Sequence, residues 1–204
     1  MNEIKLNFIN QSADTNNSNV VIFQKNVAED FEEIAIAWKV IQNCGRSDNH
    51  PFNYPMNFGV SASDSYVQLT ASNGEVFDMI KSTSGNILQR SSFPATNANQ
   101  IEVRNRLVEE EPIKVNLYKD GKLFAVKNSL FSGQKAVFEF PPKIYIGVIS
   151  ELIEGDVINS AIISQVKSQI NLFGITSADI VMTGGPRPGG NSFPFNFTLE
   201  NINK

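Results

Sequence analysis

Histidine and cysteine, which carry much of protein catalysis and metal binding, are nearly absent from this sequence. His50 and Cys44 are the single examples of their types among 204 residues. One cysteine excludes an internal disulfide framework, and two nitrogen or sulfur ligands are too few for a structural zinc site. A nucleophilic pair of Cys44 and His50 would also need an orienting third group and an oxyanion hole, which no nearby motif supplies. We therefore predict no enzyme, no metal site and no cofactor.

Long apolar runs and basic runs are also missing. No segment approaches the roughly 20 apolar residues that a membrane-spanning helix needs. The net charge of −4 argues against nucleic acid as a partner. The start Met-Asn-Glu-Ile-Lys-Leu has no apolar stretch behind a basic start, so we expect cytoplasmic synthesis without a Sec signal peptide. Export by a signal-independent route stays open.

Two polar segments resemble functional motifs but depart from them at strict positions. Residues 14–19 place oxygen side chains as in a calcium loop, yet Asn19 replaces the turn glycine and Lys25 replaces the bidentate glutamate. We predict a solvated loop there, with weak calcium binding left open. The acids of residues 29–33 are adjacent in sequence, which is typical of a solvated face and not of two carboxyls across a glycosidase cleft.

What the sequence does contain is a series of short runs in which apolar and polar residues alternate. Ile113, Val115 and Leu117 form the clearest run, and Asp120-Gly121 joins it to a second run. Asp-Gly predicts a type I′ hairpin, because both central residues of that turn need positive φ. We predict strands near the residues listed here: 4–8, 20–23, 56–62, 66–71, 76–80, 87–89, 101–105, 113–126, 136–140, 143–149, 180–182 and 193–199.

This pattern predicts a mainly β protein, an antiparallel β-sandwich of about ten short strands with one or two short helices, in a single domain over residues 1–204. Residues 66–71 and 76–80 are expected to form a hairpin around Ser72-Asn73-Gly74, and residues 44–55 to form a loop. The Pro141-Pro142 pair indicates a sheet edge or a crossover between sheets, since neither residue can donate to a ladder.

Two segments fit both helix and strand. In residues 26–42 the apolar residues fit both the helical spacing and the alternation of a strand. We favour an acidic turn at 29–33 followed by a strand at 34–41. In residues 160–173 the helical spacing ends at Gly174, a residue suited to cap a helix, and we favour a helix there.

Two sets of residues are candidates for contact with partners. The first set lies in predicted loops, where binding residues concentrate: His50, Phe52, Tyr54 and Arg187. Arg187 stands in Gly184–Gly190, which lacks the lysine and hydroxyl ending of a phosphate loop. The second set lies in strand-forming segments suited to self-assembly: Phe138, Phe140, Tyr145, Phe195 and Phe197.

Several segments resemble a bacterial family of hypothetical β-rich proteins that has no established activity. They are residues 16–23, 25–28, 37–41, 60–65, 118–122 and 177–185. The resemblance implies one intact domain that starts near Met1, and it implies no functional residues.

The sequence thus favours a non-enzymatic β-sandwich that acts through self-assembly or surface binding, with a second copy of itself as the expected partner. The alternative is a toxin or effector that binds glycans or a membrane surface, including pore formation through the amphipathic segment 160–173. An enzyme that uses acids from distant strands is the third hypothesis, because a fold can join such residues.

Overall fold

The computed structural model describes residues 3–15, 18–28, 35–63, 65, 67–108, 111–186 and 193–204. Within these ranges the protein is mainly β, with eighteen strands and one short helix. The predicted fold class is confirmed, although the strands are shorter and more numerous than the ten expected.

Sixteen of the strands, numbered in chain order, form four sheets of four strands each. Sheet I contains, in spatial order, β18 (Phe193–Asn203), β17 (Ser177–Gly185), β1 (Glu3–Asn10) and β5 (Asn49–Pro55). Sheet II contains β13 (Lys135–Phe138), β10 (Ile101–Asn105), β8 (Val76–Ser82) and β9 (Gly85–Arg90). Sheet III contains β12 (Lys122–Leu130), β11 (Ile113–Lys119), β6 (Phe58–Ala62) and β7 (Leu69–Ala71). Sheet IV contains β16 (Gln169–Asn171), β14 (Lys143–Val148), β2 (Val20–Phe23) and β4 (Lys39–Ile41).

Sheet IV is covered on both faces. A short pair of strands, β3 (Ala35–Ile36) and β15 (Val157–Ile158), and the helix α1 (Ser160–Gln165) contribute to a second, smaller apolar cluster on one face, while the other face joins the main core. This explains why all four residues of β2 are buried, since a strand covered on both faces needs no polar alternation.

The main core draws side chains from all four large sheets. At its centre the Trp38 ring makes edge contacts with Phe52, Tyr54 and Phe124, at centroid distances of 6.2, 5.8 and 6.0 Å. Trp38 Nε1 donates to the backbone oxygen of Lys119 at 2.9 Å, so the buried indole N–H has a partner.

Most neighbouring strands are antiparallel, as predicted, and two pairs are parallel: β1 with β17, and β8 with β10. The predicted Asp-Gly hairpin is confirmed, because β11 pairs with β12 and both Asp120 and Gly121 have positive φ, 54° and 70°. The Pro141-Pro142 pair marks a crossover, since β13 before it belongs to sheet II and β14 after it to sheet IV.

Two predictions for the middle of the chain are wrong. Residues 49–55 of the expected loop form β5, in which Pro51 and Pro55 are tolerated because the strand is an edge of its sheet. The hairpin expected at 66–71 and 76–80 does not form, because β7 pairs with β6 whereas β8 pairs with β9 and β10. Gly74 N donates to Gln100 O at 2.7 Å, so the turn is tied to a distant segment.

The two ambiguous segments resolve differently. The strand predicted at 34–41 is present only in part, as the short strands β3 and β4 of two different sheets, while the acidic turn at 29–33 lies outside the described residues. The helix predicted over 160–173 is wrong beyond Gln165, because β16 follows and pairs with the open edge of β14. Gly174 therefore caps no helix.

Candidate assembly edge

The longest strand in the described part of the chain, β18, forms one edge of sheet I. It runs for eleven residues and, among the strands that the structure describes, pairs with β17 alone. Phe195, Phe197 and Leu199 are half-buried and pack against the main core, whereas the intervening Asn196 and Thr198 are exposed. This alternation is the pattern of an edge strand with one apolar and one solvated face.

The backbone of β17 shows which way the backbone of β18 faces. Met182 O accepts a hydrogen bond from Gln11 N at 2.8 Å, so the polar backbone groups of Met182 face the β1 side. Successive residues of a strand direct these groups to opposite sides. Val181 therefore faces β18, where its partner in register is Thr198.

It follows that the N–H and C=O of Thr198 point back toward β17. Those of its two neighbours, Phe197 and Leu199, point outward to the free edge of the sheet. An edge strand with such groups is able to pair with another strand.

Register shifts bound the regular part of β18 at both ends. One shift lies between Thr183 and Gly185 of β17, and the other lies between Ser177 and Asp179. Close approach at the first shift requires glycine, because Gly184 has φ of 86° and a Cβ there would collide with the Pro194 carbonyl oxygen. The regular segment, which we call the assembly edge, is Asn196–Glu200.

The opposite edge of sheet I, formed by β5, is blocked. Asn10 N donates to Asp48 O at 3.1 Å, so the backbone polar groups of Asn10, and by alternation those of Phe8, face β5. His50 is the register partner of Phe8, so its backbone groups point back toward β1. Those of Pro51 and Pro55 therefore point to the outer side. Neither proline has an N–H, so this edge lacks two of its donors.

The first set of predicted contact residues does not form an exposed loop. Phe52 and Tyr54 are buried against Trp38, and His50 is half-buried on β5. Arg187 lies outside the described residues. The expectation of a contact loop at residues 50–54 is therefore wrong. These residues form a strand whose aromatic side chains pack in the core.

The second set divides in the same way. Phe138 and Phe140 are buried, and Tyr145 lies on β14, which is paired on both sides and therefore has no free edge. Phe195 and Phe197 are the members of this set that lie on an edge strand with half-exposed side chains.

The remaining candidate residues take up structural contacts. Cys44 is buried, and burial together with the Asp48 carboxylate raises the pKa of its thiol, which favours the unreactive protonated form. Asp14, from the calcium-like segment, accepts from Ser18 N at 2.8 Å.

Among the residues that the structure describes, no group of three or more His, Cys, Asp or Glu is placed to hold a metal ion, and no helix is long and apolar enough to cross a membrane.

One unusual group, a buried lysine, was not predicted from the sequence. The Nζ atom of Lys119 lies over the rings of Tyr54, Phe58 and Phe124, at 3.8, 4.4 and 4.9 Å from their centroids. Burial lowers the pKa of Lys119 well below its usual value. The sequence pattern indicates this burial, because Lys119 follows Ile113, Val115 and Leu117 at the inward-facing positions of the strand.

Comparisons with protein-family models, with curated proteins and with solved structures find no match to this chain.

Proposed function

We propose that this protein is a self-assembling subunit whose assembly edge pairs with the same edge of a second copy. The observation that carries the proposal is the outward direction of the backbone N–H and C=O of Phe197 and Leu199 on an unblocked edge. Pairing across a two-fold axis would join two copies of sheet I into one sheet of eight strands, in which the two β18 strands are antiparallel to each other.

The residue pattern of the assembly edge is complementary to itself. In the register that places Phe197 opposite its own copy, Phe195 faces Leu199 of the partner, and the apolar faces of the two copies become continuous. The same register places Asn196 opposite Thr198 of the partner, a polar pair on the solvated face. It places Glu200 opposite Pro194 of the partner, so no like charges meet.

The blocked edge of β5 limits how far this assembly extends. A two-fold contact uses the same edge of both copies and leaves only β5 free at each end of the joined sheet. Since Pro51 and Pro55 remove outward donors there, the joined sheet does not readily take up a third copy. The proposed product is a closed dimer and not a filament.

Light scattering coupled to size-exclusion chromatography tests the proposal. We expect a mass twice the 22.6 kDa of the chain at submillimolar concentration. Replacing both Asn196 and Thr198 by lysine places like charges opposite each other twice, and we expect a monomer. The variant N196E/T198K places opposite charges there, and we expect the dimer to return.

A matched control separates the assembly edge from general surface effects. The variant N49K/N53K adds the same two lysines to exposed positions of β5 and should remain a dimer. A wild-type monomer at every concentration would refute self-assembly. A dimer that survives N196K/T198K would refute the assembly edge as its interface.

A further inference from the structure

A groove of about 450 Å³ opens beside the end of β10 and the turn before β13. It is lined by residues 104–108 and 132–135. The charged side chains of this lining are all cations, Arg104, Arg106 and Lys135, although the chain as a whole carries a net charge of −4. The described lining of the groove is therefore basic, although three glutamates, residues 109–111, follow it directly in the sequence.

Two carboxylates beside the groove neutralise only part of this charge. The buried Glu102 accepts from Arg104 Nη2 at 2.9 Å and from Lys135 Nζ at 3.1 Å, and Asp78 Oδ1 lies 2.8 Å from Arg106 Nε. Three positive groups face two negative groups, which leaves one positive charge in excess among the five. Burial alone would raise the pKa of Glu102, but hydrogen bonds from Thr96, Arg104 and Lys135 lower it to about 2, so the carboxyl is ionised at neutral pH.

The donors that remain for a ligand belong mainly to Arg106. Its Nε atom donates to Asp78 Oδ1. Neither of its terminal amino groups has a partner among the described residues, and 53% of its side-chain surface is exposed. Two main-chain donors of the groove are already used, since Leu107 N donates to the Asn105 side chain at 3.1 Å and Gly133 N to Asn105 O at 2.8 Å.

We propose that this groove binds an oxyanion, the carboxylate or phosphate group of a small ligand. The terminal amino groups of Arg106 form a planar pair of donors that matches two oxygens of such a group, and Arg104 and Lys135 add positive charge beside it. Val108, which is 76% exposed, offers an apolar contact for the rest of the ligand. The site lies on sheet II and its binding does not depend on the assembly edge of sheet I.

Titration followed by nuclear magnetic resonance tests this site, with inorganic phosphate in one arm and succinate in the other, at constant ionic strength set with sodium chloride. We expect saturable shifts of the amide signals of residues 104–108 and 132–135, with a dissociation constant of about 1 mM. The affinity should fall as the salt concentration rises. Saturation in one arm alone supports the site and identifies the oxyanion.

Arg90 provides a matched control, because it is also an ion-paired arginine of sheet II. Its Nε lies 3.0 Å from Glu75 Oε1 and 56% of its side-chain surface is exposed. We expect R106Q to weaken binding about tenfold, a loss typical of one charged hydrogen bond, and R90Q to leave it unchanged. R106K, which keeps the charge but loses the planar pair of donors, should lie between wild type and R106Q.

Shifts that rise linearly without saturation in both arms would overturn the proposal. So would an equal loss of affinity in R106Q and R90Q, because that result would show a general effect of surface charge.

Discussion

At the scale of single residues, Lys119 is the side chain whose position most needs an explanation. The residue is 2% exposed, and no hydrogen bond or ion pair to its Nζ is present in the described structure. Three aromatic faces attract the ammonium, but such contacts replace only part of the lost hydration. Burial of this amine should therefore lower the stability of the fold at neutral pH.

We predict that Lys119→Met stabilises the protein at neutral pH by about 1–3 kcal/mol, because methionine fills similar space without a charge. The folded-state pKa of Lys119 lies below the unfolded value of 10.5. At pH values between these two pKa values the unfolded chain therefore binds more protons than the folded chain. Wild-type stability should accordingly rise with pH up to about 10.5, and the advantage of K119M should shrink. Urea denaturation across this pH range measures both effects.

The control for this prediction is Lys114→Met, at an exposed position of the same strand. It should change the free energy of unfolding by less than about 0.5 kcal/mol, as surface substitutions usually do. A K119M variant that is less stable than wild type at neutral pH would show that the aromatic contacts outweigh the cost of burial.

At the scale of strands, the contrast between the two edges of sheet I is the main finding. The assembly edge on β18 has outward backbone donors, whereas Pro51 and Pro55 remove donors from β5. One edge is thus open and the other is protected, as edge strands commonly are.

Replacing both Pro51 and Pro55 by threonine should restore donors to β5 and allow dimers to join end to end. We predict that P51T/P55T forms species larger than a dimer, in amounts that rise with concentration. Sedimentation velocity measures this distribution. Asn53→Thr, on the same strand, adds no donor and should leave the dimer unchanged; larger species in N53T, or none in P51T/P55T, would argue against protection by the prolines.

Sequence periodicity predicted strands better than it predicted their partners. The hairpin at Asp120-Gly121 was predictable because the turn itself dictates the pairing. The strands at 69–71 and 76–80 were also recognised, but they belong to different sheets, and Gly74 between them donates to the distant Gln100. β5 was missed because two prolines within five residues are typical of a loop, and edge position is a property of the folded chain.

At the scale of the whole molecule, sheet I is assembled from distant parts of the sequence. Its strands come from residues 3–10, 49–55, 177–185 and 193–203, and the parallel pairing of β1 with β17 joins the first part of the chain to the last. Phe195 and Phe197 could be named from the sequence as candidates for self-assembly. That β18 is an edge, and which of its backbone groups face outward, depends on this long-range pairing and could not be predicted.

Amide hydrogen exchange resolved to single residues tests the pairing of two assembly edges most directly. We predict that the Asn196 and Thr198 amides, which face β17, are protected at every protein concentration. The Phe197 and Leu199 amides should become protected only at concentrations where the dimer forms, and should stay unprotected in N196K/T198K. Rapid exchange of Phe197 and Leu199 at concentrations where the protein is dimeric would contradict the proposed interface.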